Sequence, residues 1–175
     1  TVAALGLAVA GCNESSTGSR HWVPISGEVQ ALMSEKGMTR QSPILIRSYK
    51  KEAELEVWKK GADGRYALLK SFPICRWSGQ LGPKVREGDR QAPEGFYNIT
   101  PAQMNPNSSF HLSFDTGFPN NFDRQLGRSG SFLMVHGACS SRGCFSMTDK
   151  QIEDIYALVR EAHSGGQRTV QMQSF

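Results

Sequence analysis

Hydrophobic residues at every second position of segment 44–74 constrain the fold of this chain more than any other feature. Ile44 and Ile46 lie two positions apart, as do Leu55 and Val57. A glycine-rich turn follows the second pair, and a third extended segment comes after that turn. Because successive side chains of a β-strand point to opposite faces, a period of two predicts strands with one buried face. Segment 44–74 therefore predicts a β meander.

Two helices and three further strands complete the predicted secondary structure. A first helix is predicted at 26–36, with Ser26 as its cap. A second helix is predicted at 149–163, where Thr148 and Gln151 match the capping-box pattern. The further strands are predicted at 96–99, 132–135 and 168–173. The sequence thus predicts a fold that is mainly β with a few helices.

The first twelve residues resemble the end of an export signal. Residues 2–10 form an apolar run that is too short to cross a bilayer. The run ends on Val9-Ala10-Gly11-Cys12, which resembles a bacterial lipobox, where the cysteine is acylated and becomes the mature N-terminus. Ordinary cleavage after Ala10 and a frayed N-terminal helix are the alternatives. The lipobox predicts membrane anchoring through a lipidated Cys12.

Composition and charge indicate a globular domain and disfavour nucleic acid as a partner. Of the 175 residues, 38% are hydrophobic and 21% are charged, as in ordinary globular proteins. The net charge is +4, and the Lys and Arg residues are scattered along the chain. Nucleic-acid binding domains concentrate such residues on one arm or face. We therefore expect no nucleic-acid partner.

His136 and Cys144 form the arrangement most suggestive of catalysis. They lie eight positions apart, joined by a loop rich in Gly and Ser that leaves a short apolar strand. A thiol is mostly protonated at neutral pH and needs a base or a cation to become a nucleophile. Gly143 lets the backbone approach closely, so that nearby N–H groups could face a developing oxyanion. The spacing suggests Cys144 as nucleophile and His136 as its base.

The spacing alone leaves other interpretations open. Cys144 could be a buried structural thiol, as lone cysteines commonly are. His136, Cys139 and Cys144 could bind zinc, although a fourth ligand is not evident in the sequence. Cys139 and Cys144 could also form a disulfide, although the loop between them is short.

Several motifs resemble the L,D-transpeptidase catalytic domain family. The segment His136-Gly137, a loop, and then Ser141-Arg142-Gly143-Cys144 is similar to that family's catalytic signature. The similarity is greatest to one branch, the periplasmic amidases that detach a murein-anchored outer-membrane lipoprotein from peptidoglycan. The other motifs of that branch are Ile74-Cys75-Arg76-Trp77-Ser78-Gly79, Leu81-Gly82-Pro83-Lys84, Pro93-Glu94-Gly95-Phe96-Tyr97 and Gly117-Phe118-Pro119-Asn120.

The resemblance covers about residues 43–175 and implies a fold, a site and a reaction. It implies an L,D-transpeptidase-type β-sandwich without metal or organic cofactor. By position, Cys144 resembles the nucleophile, His136 the general base, Gly143 part of the oxyanion hole and Ser141 the motif serine. The implied reaction attacks a peptidoglycan amide at diaminopimelate and forms an acyl-enzyme, which passes to an amine or to water. Peptidoglycan and its attached lipoprotein are the implied partners, in the periplasm or cell envelope.

The predicted organisation follows from these boundaries. Residues 1–12 are expected to be the remnant of a signal peptide or lipobox, 13–20 a flexible tether, 21–42 an N-terminal helical segment and 43–175 the catalytic domain.

Two departures from the family pattern affect the expected chemistry. Arg142 stands where the family has a histidine, and Ser146 stands where it commonly has an arginine. The base role therefore falls on His136. A positive contact to a substrate carboxylate is expected from Arg142, Lys84 or Arg124. The missing arginine favours the branch that hydrolyses the lipoprotein link, with cross-linking or protein attachment as the alternative, and a non-catalytic peptidoglycan-binding lipoprotein as a further one.

Trp77, Cys75 and Cys139 keep alternative interpretations. Trp77 is expected as a wall of the substrate groove or as plain core, with a sugar-stacking platform as the alternative. Cys75 and Cys139 are either two buried small hydrophobic residues or, in an exported protein, a disulfide that steadies the loop and leaves Cys144 free.

Overall fold

The computed structural model describes residues 17–175 and contains two sheets and three α-helices. The predicted signal segment with Cys12, and residues 13–16 of the predicted tether, lie outside the described residues. Short 3₁₀ helices span Thr17–Trp22 and Pro101–Gln103. The helices are α1 (Gly27–Glu35), α2 (Asn121–Gln125) and α3 (Asp149–Ser164). The strands are β1 (Ile44–Tyr49), β2 (Glu54–Lys60), β3 (Tyr66–Pro73), β4 (Gly95–Ile99), β5 (Met104–Asn105), β6 (Ser113–Asp115), β7 (Met134–His136), β8 (Phe145–Ser146) and β9 (Val170–Ser174).

The first sheet contains the predicted meander and has the strand order β3-β2-β1-β9-β4. Ile44, Ile46, Leu55 and Val57 are buried, which confirms the period of two. β9 pairs parallel with β1 and antiparallel with β4, so the last strand of the chain closes the sheet between them.

The second sheet has the order β5-β6-β7-β8 and carries segments that the sequence did not define. Of its strands only β7 corresponds to a predicted one, and it begins at Met134, two residues later than predicted. β5, β6 and β8 are two or three residues long, too short to show a period of two in the sequence. They depend on pairing with their neighbours in the sheet.

Helix α3 lies between the two sheets and builds the core. It contacts β1 and β9 of the first sheet and β6 and β7 of the second. Ile152, Ile155 and Val159 are fully buried, and Thr148 forms the predicted capping box with Gln151. No helix of the described residues is long and apolar enough to cross a membrane.

Lys50 organises the long loop between β3 and β4. Its side chain is 0% exposed, and its ammonium donates hydrogen bonds to the carbonyls of Gln80, Gly82 and Ala92 at 2.6 to 3.1 Å. It also pairs with Glu94 at 2.9 Å. Burial lowers the pKa of Lys50, while the Glu94 carboxylate opposes that shift. One buried cation therefore ties several points of the loop to the first sheet.

Lys50→Ala should destabilise the protein by about 3–5 kcal/mol, because three backbone carbonyls and the Glu94 carboxylate all lose the buried ammonium that they share. Chemical denaturation gives the free energy of unfolding. Lys51→Ala is the matched control, since Lys51 is exposed and should change that free energy by no more than about 0.5 kcal/mol. Equal effects of the two substitutions would contradict the role assigned to Lys50.

Candidate active site

The pairing of β7 with β8 brings His136 and Cys144 to one face of the second sheet. The two strands are parallel, with Val135 opposite Phe145. Both of these side chains are fully buried in the core. Because side chains alternate along a strand, the neighbours His136 and Cys144 project from the opposite face.

A cavity of about 500 Å³ opens over this face, and a second of about 260 Å³ adjoins it. Both cavities are lined by Phe110, Phe132, His136 and Cys144. The larger one is completed by Ser140, Ser141 and Arg142. The smaller one is completed by Asn105, Asn107, Ser108, Ser109, Ser113 and Met134. The predicted nucleophile and base thus meet where the two cavities join.

The hydrogen bonding of His136 determines which ring nitrogen can act as a base. Nδ1 lies 2.6 Å from the carbonyl oxygen of Gly137, which can only accept, so Nδ1 carries the hydrogen of the neutral ring. Nε2 keeps its lone pair and has no hydrogen-bond partner among residues 17–175. Burial lowers the pKa of His136, although the bond to Gly137 opposes that shift. The lowered pKa favours the neutral ring, which can accept a proton at Nε2.

The surroundings of Cys144 favour the thiol over the thiolate. Burial raises the pKa of Cys144, and the carboxylate of Asp115 raises it further. The Met134 N–H, which donates to Sγ at 3.4 Å, and the ammonium of Lys84 act in the opposite direction. Burial thus favours a neutral thiol and a neutral imidazole, and the two side chains line the same cavity.

The Ser141 hydroxyl shapes the turn that carries Cys144. Its Oγ accepts from the N–H groups of Gly143 (3.3 Å) and Cys144 (3.2 Å), and it donates to the Cys144 carbonyl at 2.7 Å. Gly143 has φ +128°, a conformation that side chains rarely adopt. Two N–H groups expected to face the oxyanion are thus held by Ser141 in the resting site. The Arg142 N–H has no hydrogen-bond partner in the described part of the chain.

A disulfide fixes the other end of this loop. Cys75 and Cys139 are joined, with their Cα atoms 5.4 Å apart, while Cys144 remains free. Cys139 therefore cannot pair with Cys144 or bind zinc, which removes two of the alternatives left open by the spacing. Ala138 and Cys139 have positive φ values of 63° and 46°, and Asp149 accepts the Ala138 N–H at 2.8 Å.

Of the four residues predicted to bind substrate, only Arg142 lines the cavity around Cys144. Lys84 is 3% exposed and pairs with Asp89 at 2.5 Å, so its charge is already compensated. Arg124 lines a separate groove beside α2. Trp77 packs against the core, with the Lys50 ammonium 5.5 Å from its ring centroid.

The sequence analysis did not identify Phe110, Phe132 and Ser113 as site residues. The centroid of the Phe110 ring lies 4.7 Å from that of the His136 ring. The backbone carbonyl of Phe132 accepts a hydrogen bond from the Cys144 thiol at 3.7 Å. Segment 103–130, which contains Phe110 and Ser113, shows no clear period and carries no motif for these positions. Phe132 was expected only as the first residue of the strand predicted at 132–135. Ser146, which replaces the family arginine, is fully buried and donates to the Arg76 carbonyl.

Comparisons with known proteins identify the family of this chain. The family model of the YkuD L,D-transpeptidase catalytic domain matches residues 44–170. The putative L,D-transpeptidase YafK of Escherichia coli K12 is 43% identical over 131 residues, which are 75% of this chain and 53% of that protein. The chain belongs to the L,D-transpeptidase catalytic domain family and is an enzyme domain of that type. It spans about half the length of the curated relatives it matches.

Solved structures support the fold. Pgp2 of Campylobacter jejuni, described as a helical cell shape determining protein (K307A mutant), has a TM-score of 0.60 at 22% identity and covers 90% of this chain and 55% of its own. Bd1075 of Bdellovibrio bacteriovorus has a TM-score of 0.51 at 19% identity and covers 87% and 51%. These likenesses show the fold alone and, together with the match to the family model, confirm the predicted fold class.

The reaction of Cys144 with iodoacetamide should accelerate with pH into the alkaline range. Because the pKa of the thiol is raised, the thiolate fraction should increase at higher pH than for a free cysteine, whose pKa is about 8.5. Mass spectrometry of the Cys144 peptide measures the rate, with N-acetylcysteine as control. A plateau of fast alkylation below neutral pH would instead indicate a thiolate–imidazolium pair.

Replacing both Cys75 and Cys139 by serine should lower the free energy of unfolding by about 4 kcal/mol. The disulfide closes a sequence separation of 64 residues, whose conformational freedom the unfolded chain would regain. Denaturation of the double variant against the oxidised wild type measures the loss. An unchanged unfolding midpoint would show that the disulfide contributes no stability.

Proposed function

We propose that this domain hydrolyses the amide between peptidoglycan diaminopimelate and an attached lipoprotein, through an acyl-enzyme on Cys144. The observation that carries the proposal is the shared cavity of a free thiol and a histidine whose Nε2 is unprotonated and unpartnered among the described residues. Cys144 is the nucleophile and His136 the general base in this proposal.

The proposed acylation moves one proton through His136. Nε2 removes the thiol proton of Cys144 as sulfur attacks the amide carbonyl carbon, giving a tetrahedral intermediate. The N–H groups of Arg142 and Gly143 are the candidate donors to its oxyanion, and the Gly143 group must then leave Ser141. The C–N bond breaks, the imidazolium protonates the departing amine, and a thioester remains. Water then hydrolyses the thioester by the same route.

Arg142 supports a substrate that carries a carboxylate. Its exposed side chain lines the larger cavity beside Cys144, and guanidinium groups bind carboxylates through paired hydrogen bonds. Diaminopimelate offers such a group next to the scissile amide. Ser146 is buried where the family commonly has arginine, which supports the hydrolytic branch over routine cross-linking.

The second candidate function is transpeptidation, which would form 3-3 cross-links or attach proteins to peptidoglycan. The printed description of the Escherichia coli relative favours it. The same acyl-enzyme serves both reactions, and only the acceptor differs. The intact pair of Cys144 and His136 argues against the third candidate, a non-catalytic peptidoglycan-binding lipoprotein. All three place the protein in the cell envelope, with Cys12 as the proposed lipid attachment site.

Incubation with sacculi that carry a covalently bound lipoprotein tests the proposal. Mass spectrometry of the products should show released lipoprotein and intact stem peptides. Cys144→Ala should abolish release, and His136→Ala should slow it by about 10²–10⁴-fold, as expected for loss of a general base. New 3-3 dimers without lipoprotein release would establish transpeptidation instead.

Arg142→Ala should raise KM by about tenfold or more, because it removes a charge-assisted hydrogen bond to the substrate. Arg65→Ala is the matched control, since Arg65 is an exposed arginine in the turn between β2 and β3. Steady-state release from sacculi measures both variants. A KM of Arg142→Ala equal to that of the control would exclude the proposed carboxylate contact.

A further inference from the structure

Ser113 carries a buried hydroxyl that the protein itself leaves unused. The residue is 1% exposed, and its Oγ has no hydrogen-bond partner among residues 17–175. In the second sheet it lies directly opposite His136, and it lines the smaller cavity together with His136 and Cys144. Burying a hydroxyl without a hydrogen bond costs free energy, so such groups are uncommon in folded proteins. The position therefore points to a polar ligand at the floor of this cavity.

We infer that Ser113 and His136 together hold the water that hydrolyses the acyl-enzyme. This inference rests on the proposed function. One hydrogen of the water points to His136 Nε2 and the other to Ser113 Oγ, which leaves an oxygen lone pair for the thioester carbon. The C–O bond forms as Nε2 takes a proton, the C–S bond then breaks, and the imidazolium returns its proton to the Cys144 sulfur. The product leaves as a carboxylic acid.

The lining of the smaller cavity suits water better than an amine acceptor. Apart from Ser113 and His136, the polar residues that line it are uncharged: Asn105, Asn107, Ser108 and Ser109. Within the described part of the chain, no Asp or Glu lines this cavity. An acceptor amine carries a positive charge before it reacts and finds no carboxylate to attract it there. Phe110 packs against the His136 ring, and Phe132 lines both cavities. A charged amine would therefore have to pass apolar rings to reach the acyl group.

The preference for hydrolysis is thus assigned to the side of His136 that faces β6. Arg142 lies among the residues of the larger cavity and contacts the acyl donor in the proposed function. Ser113 lies in the smaller cavity, where the water is held in this scheme. Acylation does not require Ser113 in this scheme, whereas deacylation does.

A thioester of the tripeptide L-alanyl-γ-D-glutamyl-diaminopimelate separates the two steps, because it acylates Cys144 without cleavage of an amide. The acylated protein is desalted, and intact mass spectrometry follows the loss of the acyl group. Ser113→Ala should prolong the acyl-enzyme lifetime by about 10- to 100-fold. It should leave kcat/KM for the lipoprotein-linked amide within about twofold of wild type, since that ratio reports acylation. Added glycinamide should restore acyl transfer in the variant.

Ser48→Ala provides the matched control, since Ser48 is a fully buried serine in the first sheet. Its acyl-enzyme should turn over at the wild-type rate. Ser113→Ala should fold with an unchanged or higher melting temperature, because Oγ bonds no other described residue.

Two results would overturn the role assigned to Ser113, and a third would overturn the proposed function. Deacylation of Ser113→Ala within twofold of wild type would exclude the water-holding role while leaving the proposed function intact. A parallel fall in kcat/KM and in the deacylation rate would assign Ser113 a structural role. A wild-type protein that forms no thioester at Cys144 would overturn the proposed function itself.

Discussion

The candidate site depends first on the parallel pairing of β7 with β8. That register places Val135 and Phe145 in the core and so turns His136 and Cys144 toward the cavity. A shift by one residue in either strand would send one of the two side chains to the opposite face, because the period of a strand is two. The pairing of Val135 with Phe145 thus fixes the relative position of the His136 imidazole and the Cys144 thiol, which lie eight positions apart in the chain.

Several polar contacts hold the loops around this pairing. Ser141 bonds both ends of the turn at Cys144, and its Oγ lies 3.1 Å from that of Ser78. Ser78 belongs to the loop that Lys50 ties to the first sheet. The disulfide between Cys75 and Cys139 joins the start of that loop to the catalytic loop. Contacts that reach both sheets therefore fix the conformation of the chain around Cys144.

Burial makes the resting pair neutral, and this has a chemical consequence. Burial raises the pKa of Cys144 and lowers that of His136, and both shifts favour the neutral form. A neutral thiol is a weaker nucleophile than a thiolate, so in the proposed function proton transfer from Cys144 to His136 accompanies attack on the carbonyl. The hydrogen bond from Nδ1 to the Gly137 carbonyl leaves the lone pair of the neutral ring on Nε2.

The sequence by itself determined the family, the meander, helix α3 and the pair of His136 and Cys144, because each rests on a local pattern of period, capping or motif. Tertiary structure alone decided which of the predicted cations lines the cavity. Arg142 does, whereas Lys84 is buried against Asp89, and Arg124, a residue of α2, lines a separate groove. It also decided the places of Phe110, Phe132 and Ser113. Strand β6, which carries Ser113, is too short to leave a periodic signal, and its pairing with β7 places Ser113 opposite His136. Phe110 and Phe132 lie outside the strands, and only the folding of the chain brings them beside Cys144.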